Sequence, residues 1–389
     1  MSLVGVNDNK FMVSARIPGL DSLRFISIAF VILLHLFTFK AYFGFTNHYI
    51  SIFEYLGGKL AVQLFFCLSG FLVTILLLAE TKCRHELNLK GFYLRRILRI
   101  WPAYYLLVCI SLIVVLKLPF FRIPGITDDY LSGNYQFANL LYFVFLPHIA
   151  PFVSSTSPFI HQTYTIGIEE QFYIIWGLFF YFFPKRVLMI LLIIIFISPF
   201  INFAHHFLFT TLEPESNIAL IYTKKILFYY QYSRISTFAI GSFFGYAFYF
   251  KQKWISKLKI KSIQALILFI LLIFVCFNIQ VPFFNYEILA LLISTLLLIS
   301  TFGNKSILNL DKKWLSQLGK ISYGMYLFHI FAIVISIKLF IAFNVPINTP
   351  IQVGFLCIST LLLSILFGWI SYYGFEVFFL RLKHKFKSI

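Results

Sequence analysis

Near the start of the chain, in IPGLDSLRFISIAFVILLHLF, stand Asp21, Arg24 and His35. On a helix the eleven-residue step from Arg24 to His35 comes within roughly 20° of three full turns, and Asp21 falls about 40° off that line. All three therefore share one stripe, with the imidazole about 16 Å beyond the guanidinium. An imidazole titrates near neutral pH and serves as a base or a nucleophile, and a flanking carboxylate can fix its tautomer. The plainer reading also stands: Arg24 snorkels to lipid headgroups and His35 hydrogen-bonds a neighbouring helix. GFYLRRILRIWPAYY carries Arg95, Arg96 and Arg99. Arg96 and Arg99 face one way, and their forks suit phosphate oxygens, of a ligand or of headgroups. Glu169 and Glu170 in TYTIGIEEQFYIIW are adjacent acids at the start of a run, suited to hydrogen-bonding hydroxyls or simply to a helix N-terminus. ISYGMYLFHIF sets Tyr326 and His329 one turn apart, after Tyr323. YYQYSRISTFAIG places Arg234 inside an apolar run, which calls for an anionic partner from another helix or from a ligand. Glu376 stands near Arg381 at a predicted interface.

The elements that hold these groups follow from composition. Of 389 residues, 60% are hydrophobic and only 12% charged, against about 25% charged in an average soluble protein. With a mean hydropathy of +0.88, this excludes a disordered or ordinary cytosolic chain. Apolar runs long enough for a spanning helix, or nearly so, lie at 22–39, 60–79, 100–118, 138–153, 169–183, 187–203, 226–250, 263–279, 288–302, 321–341 and 353–379. The 138–153 run is short and holds Pro147, His148 and Pro151, so it reads as interfacial or re-entrant. Leaving it out puts 23 of the 32 Lys and Arg residues on the side of the N-terminus, as the positive-inside rule requires; counting it as a span removes most of that bias. The sequence thus predicts an all-α polytopic membrane protein of about ten transmembrane helices, both termini cytoplasmic. It reads as one membrane domain over 1–389, with a short N-terminal segment 1–20, a basic tail 380–389 and no separate soluble domain. The net charge of +18 is then mostly topology, with membrane lipids rather than nucleic acid as its partner. Five scattered cysteines without a CxxC pair argue against a disulfide framework or a metal site.

Five strings in order resemble the acyltransferase-3 family of membrane acyltransferases, which includes bacterial lipopolysaccharide and exopolysaccharide O-acetyltransferases. LDSLRFISIAFVILLH is similar to the family's first helix, with its Arg-x10-His spacing as Arg24 and His35. VQLFFCLSGFLVT resembles the second-helix motif, FYLRRILRIWPAYY the third-helix pair as Arg96 and Arg99, and ISYGMYLFH a late motif. YTIGIEEQFYIIW corresponds to the Glu-Glu region, with Thr165 and Gly167 near the usual Trp-Ser, which puts any role for that serine in doubt.

The resemblance implies transfer of an acetyl or other short acyl group. The donor is cytoplasmic acyl-CoA, acetyl-CoA above all, and the acceptor a hydroxyl of a periplasm-facing glycan such as lipopolysaccharide O-antigen, free or lipid-linked. The setting is the bacterial inner membrane, without a metal. His35 is then the general base, direct or through an acyl-His35 relay, with Asp21 and Arg24 beside it in the catalytic group. Arg96 and Arg99 hold the phosphates of coenzyme A. Arg24 binds the same anion, positions Asp21 or stabilises the carbonyl oxygen. Glu169, Glu170, Arg234, Tyr326 and His329 are candidates for the acceptor site, the two acids on the outer face. Many family members carry a further hydrolase-like domain, which is expected to be absent here or on another protein. The competing reading is a transporter or flippase of a glycan intermediate or small anion, using Arg24, Arg234 and Glu169.

Overall fold

The computed structural model describes residues 17–46, 50–84, 87–133, 135–211 and 218–382, and every regular element among them is helical. The long helices are α1 Leu20–Tyr42, α2 Val62–Arg84, α3 Leu89–Cys109, α4 Tyr164–Phe182, α5 Val187–Thr211, α6 Ile218–Ser233, α7 Ile235–Tyr249, α8 Lys261–Cys276, α9 Asn285–Ser300, α10 Lys313–Ala342 and α11 Pro350–Ser371. A π-helical stretch, Glu54–Ala61, leads into α2, and others extend α3 and α11.

Six helical segments are long and apolar enough to cross a bilayer: Leu20–Tyr42, Glu54–Cys83, Leu89–Val114, Pro184–Phe209, Lys313–Ala342 and Pro350–Leu382. A seventh counts if Lys253–Lys259 and α8, bent by 83°, form one span. Ten remains the expectation from charge and hydropathy. The 138–153 segment forms only Gln136–Phe143 and Ala150–Val153, too short to cross. The 226–250 run is not one helix: Arg234, at φ 48° and ψ 44°, breaks it into α6 and α7.

The outer surface fits a lipid solvent. On α11, Ile351, Phe355, Ile358 and Leu362 are each more than half exposed at steps of three and four residues, a single apolar stripe. On α5, Phe196, Phe200 and Phe203 do the same.

Inside, burial of apolar area cannot drive helix association in lipid, so close backbone approach matters more. The α2–α7 seam is built this way. A Cβ on Gly70 would collide with the carbonyl oxygen of Phe238, and one on Gly241 with that of Cys67. The α1–α10 seam is equally tight, since a Cβ on Gly319 would meet the backbone oxygen of Asp21. Ser22 Oγ ties the start of α1 to the carbonyl of Leu310 at 2.6 Å, and Gly19, at φ 76°, lies against Ser300. The starts of α1 and α10 and the end of α9 thus share one face of the bundle.

Gly241→Val should destabilise the protein by at least about 1–3 kcal/mol, the usual cost of overpacking. Gly354→Ala, with nothing within 4 Å of the new methyl, should be neutral or slightly stabilising. Thermal unfolding of the two variants in detergent checks the contrast.

Candidate active site

A cavity of about 520 Å³ opens among α1, α2, α3, α4 and α10, within the range of ligand pockets. Arg24 comes from α1, Arg96 and Arg99 from α3, Ser69 from α2, Glu169 and Tyr173 from α4, and Tyr323 and Tyr326 from α10. α3 can present its arginines because Asn88 caps it, the side-chain oxygen accepting from Gly91 N at 2.8 Å, and because Arg95 turns the other way to pair with buried Glu80 at 2.5 Å.

The three cavity arginines are differently engaged. Arg24 donates to Asp21 at 2.7 Å. Arg96 lies 4.8 Å over the ring of Tyr173 and 5.7 Å over that of Phe92. Arg99 is exposed to the cavity and, among the described residues, neither it nor Arg96 hydrogen-bonds a carboxylate. The lining carboxylates are Asp21 and Glu169, and Glu169 accepts from the Tyr173 hydroxyl at 2.5 Å and from Ser69 Oγ. Three guanidiniums facing two occupied carboxylates suit a polyanion.

The far end of the cavity is closed by Thr165 and Tyr326, whose hydroxyls meet at 2.6 Å. The Tyr326 hydroxyl also donates to the carbonyl of Gln162 at 2.6 Å. One turn further along α10, fully buried His329 points Nδ1 at the carbonyl of Tyr326, 2.6 Å away, and Nε2 at His35 Nδ1, 2.7 Å away. The imidazole planes lie 15° apart with centroids at 4.9 Å.

A carbonyl only accepts, so His329 Nδ1 carries the hydrogen. In a neutral ring Nε2 then holds a lone pair, and His35 Nδ1 must be its donor. His35 is left with the lone pair on Nε2, the state a base or nucleophile needs.

Several sequence expectations change here. Asp21 and Arg24 are not the partners of His35: the 16 Å along α1 that puts them on one stripe also keeps them apart. They pair with each other inside the arginine cavity, and the orienting group for His35 is His329. Glu169 and Glu170 do not share a place on an outer rim. The loop ahead of α4 carries Tyr164 and Thr165 inward to the level of Tyr326, so Glu169 reaches the arginines. Glu170, about 100° round the helix, instead accepts from Trp101 Nε1 at 3.3 Å. Glu376 is buried and accepts from Ser371 Oγ at 2.7 Å. Arg234 lies outside the cavity, at the α6–α7 break.

Ser69 and Tyr173 join the site from within the second-helix and Glu-Glu strings, though neither stands out there, while Gln162 and His161 lie just outside any such string. Gly167 makes room for His148, which a Cβ would strike. Burial in that loop holds the His148 imidazole down, to about 4. Exposed His161 hydrogen-bonds Thr156 at 3.1 Å and lies within electrostatic range of His35.

A family described as "Acyltransferase domain" matches residues 17–369. The chain belongs to the acyltransferase-3 family. Among curated relatives, the peptidoglycan O-acetyltransferase OatA of Listeria monocytogenes is 31% identical over 177 residues, 44% of this chain and 25% of that protein. The O-acetyltransferase OatA of Staphylococcus aureus is 25% identical over 379 residues, 93% of this chain and 57% of that protein. This acyltransferase-3 chain therefore spans little more than half the length of such relatives, or less. No solved structure matches it.

Because Glu80 is buried against Arg95, Arg95→Ala should cost about 3–5 kcal/mol, the usual penalty for breaking a buried pair. Thermal unfolding in detergent reads that loss, which Arg99→Ala, at an unpaired and exposed position, should not show.

Proposed function

We propose that the protein transfers an acetyl group from acetyl-CoA to a hydroxyl of a cell-envelope glycan across the cytoplasmic membrane. The observation that carries this reading is the arginine cavity, ending one helical turn short of an imidazole whose free lone pair is set by a second imidazole. Family membership supports acyl transfer, and the positive-inside bias puts the face where α1 begins in the cytoplasm.

Arg96 and Arg99 hold the phosphates of the donor, with bidentate forks as the recognition chemistry. Arg24, steadied by Asp21, adds positive charge where the thioester end passes. Tyr326 and Thr165 form the gate between donor cavity and imidazole pair. His35 Nε2 takes the proton of the acceptor hydroxyl, whose oxygen forms the bond to the thioester carbonyl carbon. The carbon–sulfur bond then breaks, and the imidazolium returns its proton to the leaving thiolate. His329 keeps His35 in the productive tautomer throughout by accepting from Nδ1. Should the same lone pair attack the carbonyl first, an acetylated His35 forms, and intact-protein mass after donor alone separates the two routes.

Names of the relatives move the acceptor from lipopolysaccharide O-antigen toward peptidoglycan. The transporter reading loses force because Arg234 lies outside the cavity that Arg24 and Glu169 share.

Purified protein in nanodiscs, given acetyl-CoA and a soluble glycan, should release free thiol; a transporter releases none. His35→Ala should lower that release about 10²–10⁴-fold, the usual share of a general base, with insertion unchanged. Retained release removes His35 from the centre. Arg99→Ala should raise the KM for acetyl-CoA roughly 10-fold or more, the worth of one charged hydrogen bond, with a smaller effect on kcat. An unchanged KM refutes the phosphate role.

A further inference from the structure

A second, smaller cavity, of about 140 Å³, lies beyond Phe66, which lines both it and the arginine cavity. Its other polar walls are Tyr164, Gln231, Tyr232, Arg234 and Tyr286. Arg234 is held in the left-handed region at the α6–α7 break, a conformation rare for a residue with a long side chain. The break aims its guanidinium over the ring of Tyr286 at 4.8 Å. Its Nη1 is buried and makes no hydrogen bond. No carboxylate pairs with it among the described residues. Glu287, which follows Tyr286 in the chain, is taken by Ser198 Oγ at 2.6 Å and by Asn202 at 3.3 Å.

A partly buried guanidinium with an unpartnered buried nitrogen is costly without an anion, and this favours an anionic ligand in the cavity. The walls say more. Tyr164 and Tyr232 stack with centroids 5.2 Å apart, and an aromatic face of this kind suits the apolar C–H face of a sugar ring. Gln231 offers both a donor and an acceptor to hydroxyls. Tyr164 lies 6.0 Å from His161, which in turn is within electrostatic range of His35. The cavity therefore adjoins the arginine cavity across Phe66 and reaches toward the imidazole pair by way of Tyr164 and His161.

We propose that the Arg234 cavity binds the acidic substituent of a carboxylate-bearing sugar in the acceptor glycan, with a neighbouring sugar ring resting on Tyr164 and Tyr232. This rests on the proposed function for the identity of the acceptor. A phospholipid headgroup is the other source of an anion, and the test separates the two.

The test uses the full chain in phosphatidylcholine nanodiscs and two soluble tetrasaccharides. One is chitotetraose; the other alternates N-acetylglucosamine with N-acetylmuramic acid, adding only lactyl carboxylates to the same backbone. Saturation-transfer NMR should show the acidic sugar binding about 10-fold more tightly or better, as one charged hydrogen bond provides. Arg234→Gln should erase that preference, Arg234→Lys should keep part of it, and Tyr164→Ala should weaken both sugars. Monodisperse elution and an unchanged Tm qualify each variant, and the lysine variant keeps the test open where the glutamine variant does not fold. Equal binding of the two sugars by the wild type overturns the proposal, as does a preference retained in Arg234→Gln. So does a preference abolished when phosphatidylglycerol replaces phosphatidylcholine, which assigns the cavity to lipid. Binding needs no turnover, so an acidic preference without thiol release sinks the transferase reading and leaves this site standing.

Discussion

One hydrogen bond between imidazoles, from His35 to His329, ties together residues 294 positions apart and governs the chemistry of the site. It forms only because α1 and α10 pack closely along their length. Gly319 lets the backbone of Asp21 approach, and Ser22 bonds the chain just ahead of α10. At the other end of the seam the rings meet. His329 has no freedom of its own, because its second nitrogen faces a carbonyl of its own helix. A fixed acceptor makes a fixed donor of its neighbour, and the remaining nitrogen of His35 is poised as a base. Histidines at metal centres are oriented by the same logic, here applied without a metal by another histidine.

Charge is arranged around that pair by side of the bundle. Arg24, Arg96 and Arg99 gather in the larger cavity, while Arg234 stands alone among tyrosines in the smaller one. Within apolar surroundings such groups act at a lower dielectric than in water, so their attraction for anions is stronger and their cost when unpaired higher. Under the proposed reading each cavity receives its own anion, with the imidazoles one helical turn beyond Tyr326. Phe66, common to both, and the Thr165–Tyr326 contact are then the partition that keeps donor and acceptor apart until both are bound.

Much of this was legible in the sequence, and the losses have physical causes. The Asp21–Arg24–His35 stripe and the Arg96–Arg99 pair are local periodicities, and local spacing survives folding. The demotion of 138–153 followed from its prolines and from the balance of basic residues. What the sequence did not disclose is depth. The loop before α4 runs inward, so Glu169 meets arginines that hydropathy had placed at the opposite end. Nor does periodicity show a break such as that at Arg234, where the left-handed residue is not a glycine. The partnership of His35 with His329 depends on packing between the first and a late helix, which no short window contains.

The central claim is the tautomer of His35, and ¹⁵N solid-state NMR of the protein with histidine side chains labelled reads it directly. His35, assigned by comparison with a His35→Gln sample, should show a protonated Nδ1 and an unprotonated Nε2 at neutral pH. In His329→Phe that preference should be lost in favour of the Nε2–H form or a mixture. A wild-type His35 protonated on Nε2, or a tautomer indifferent to His329, would contradict the account.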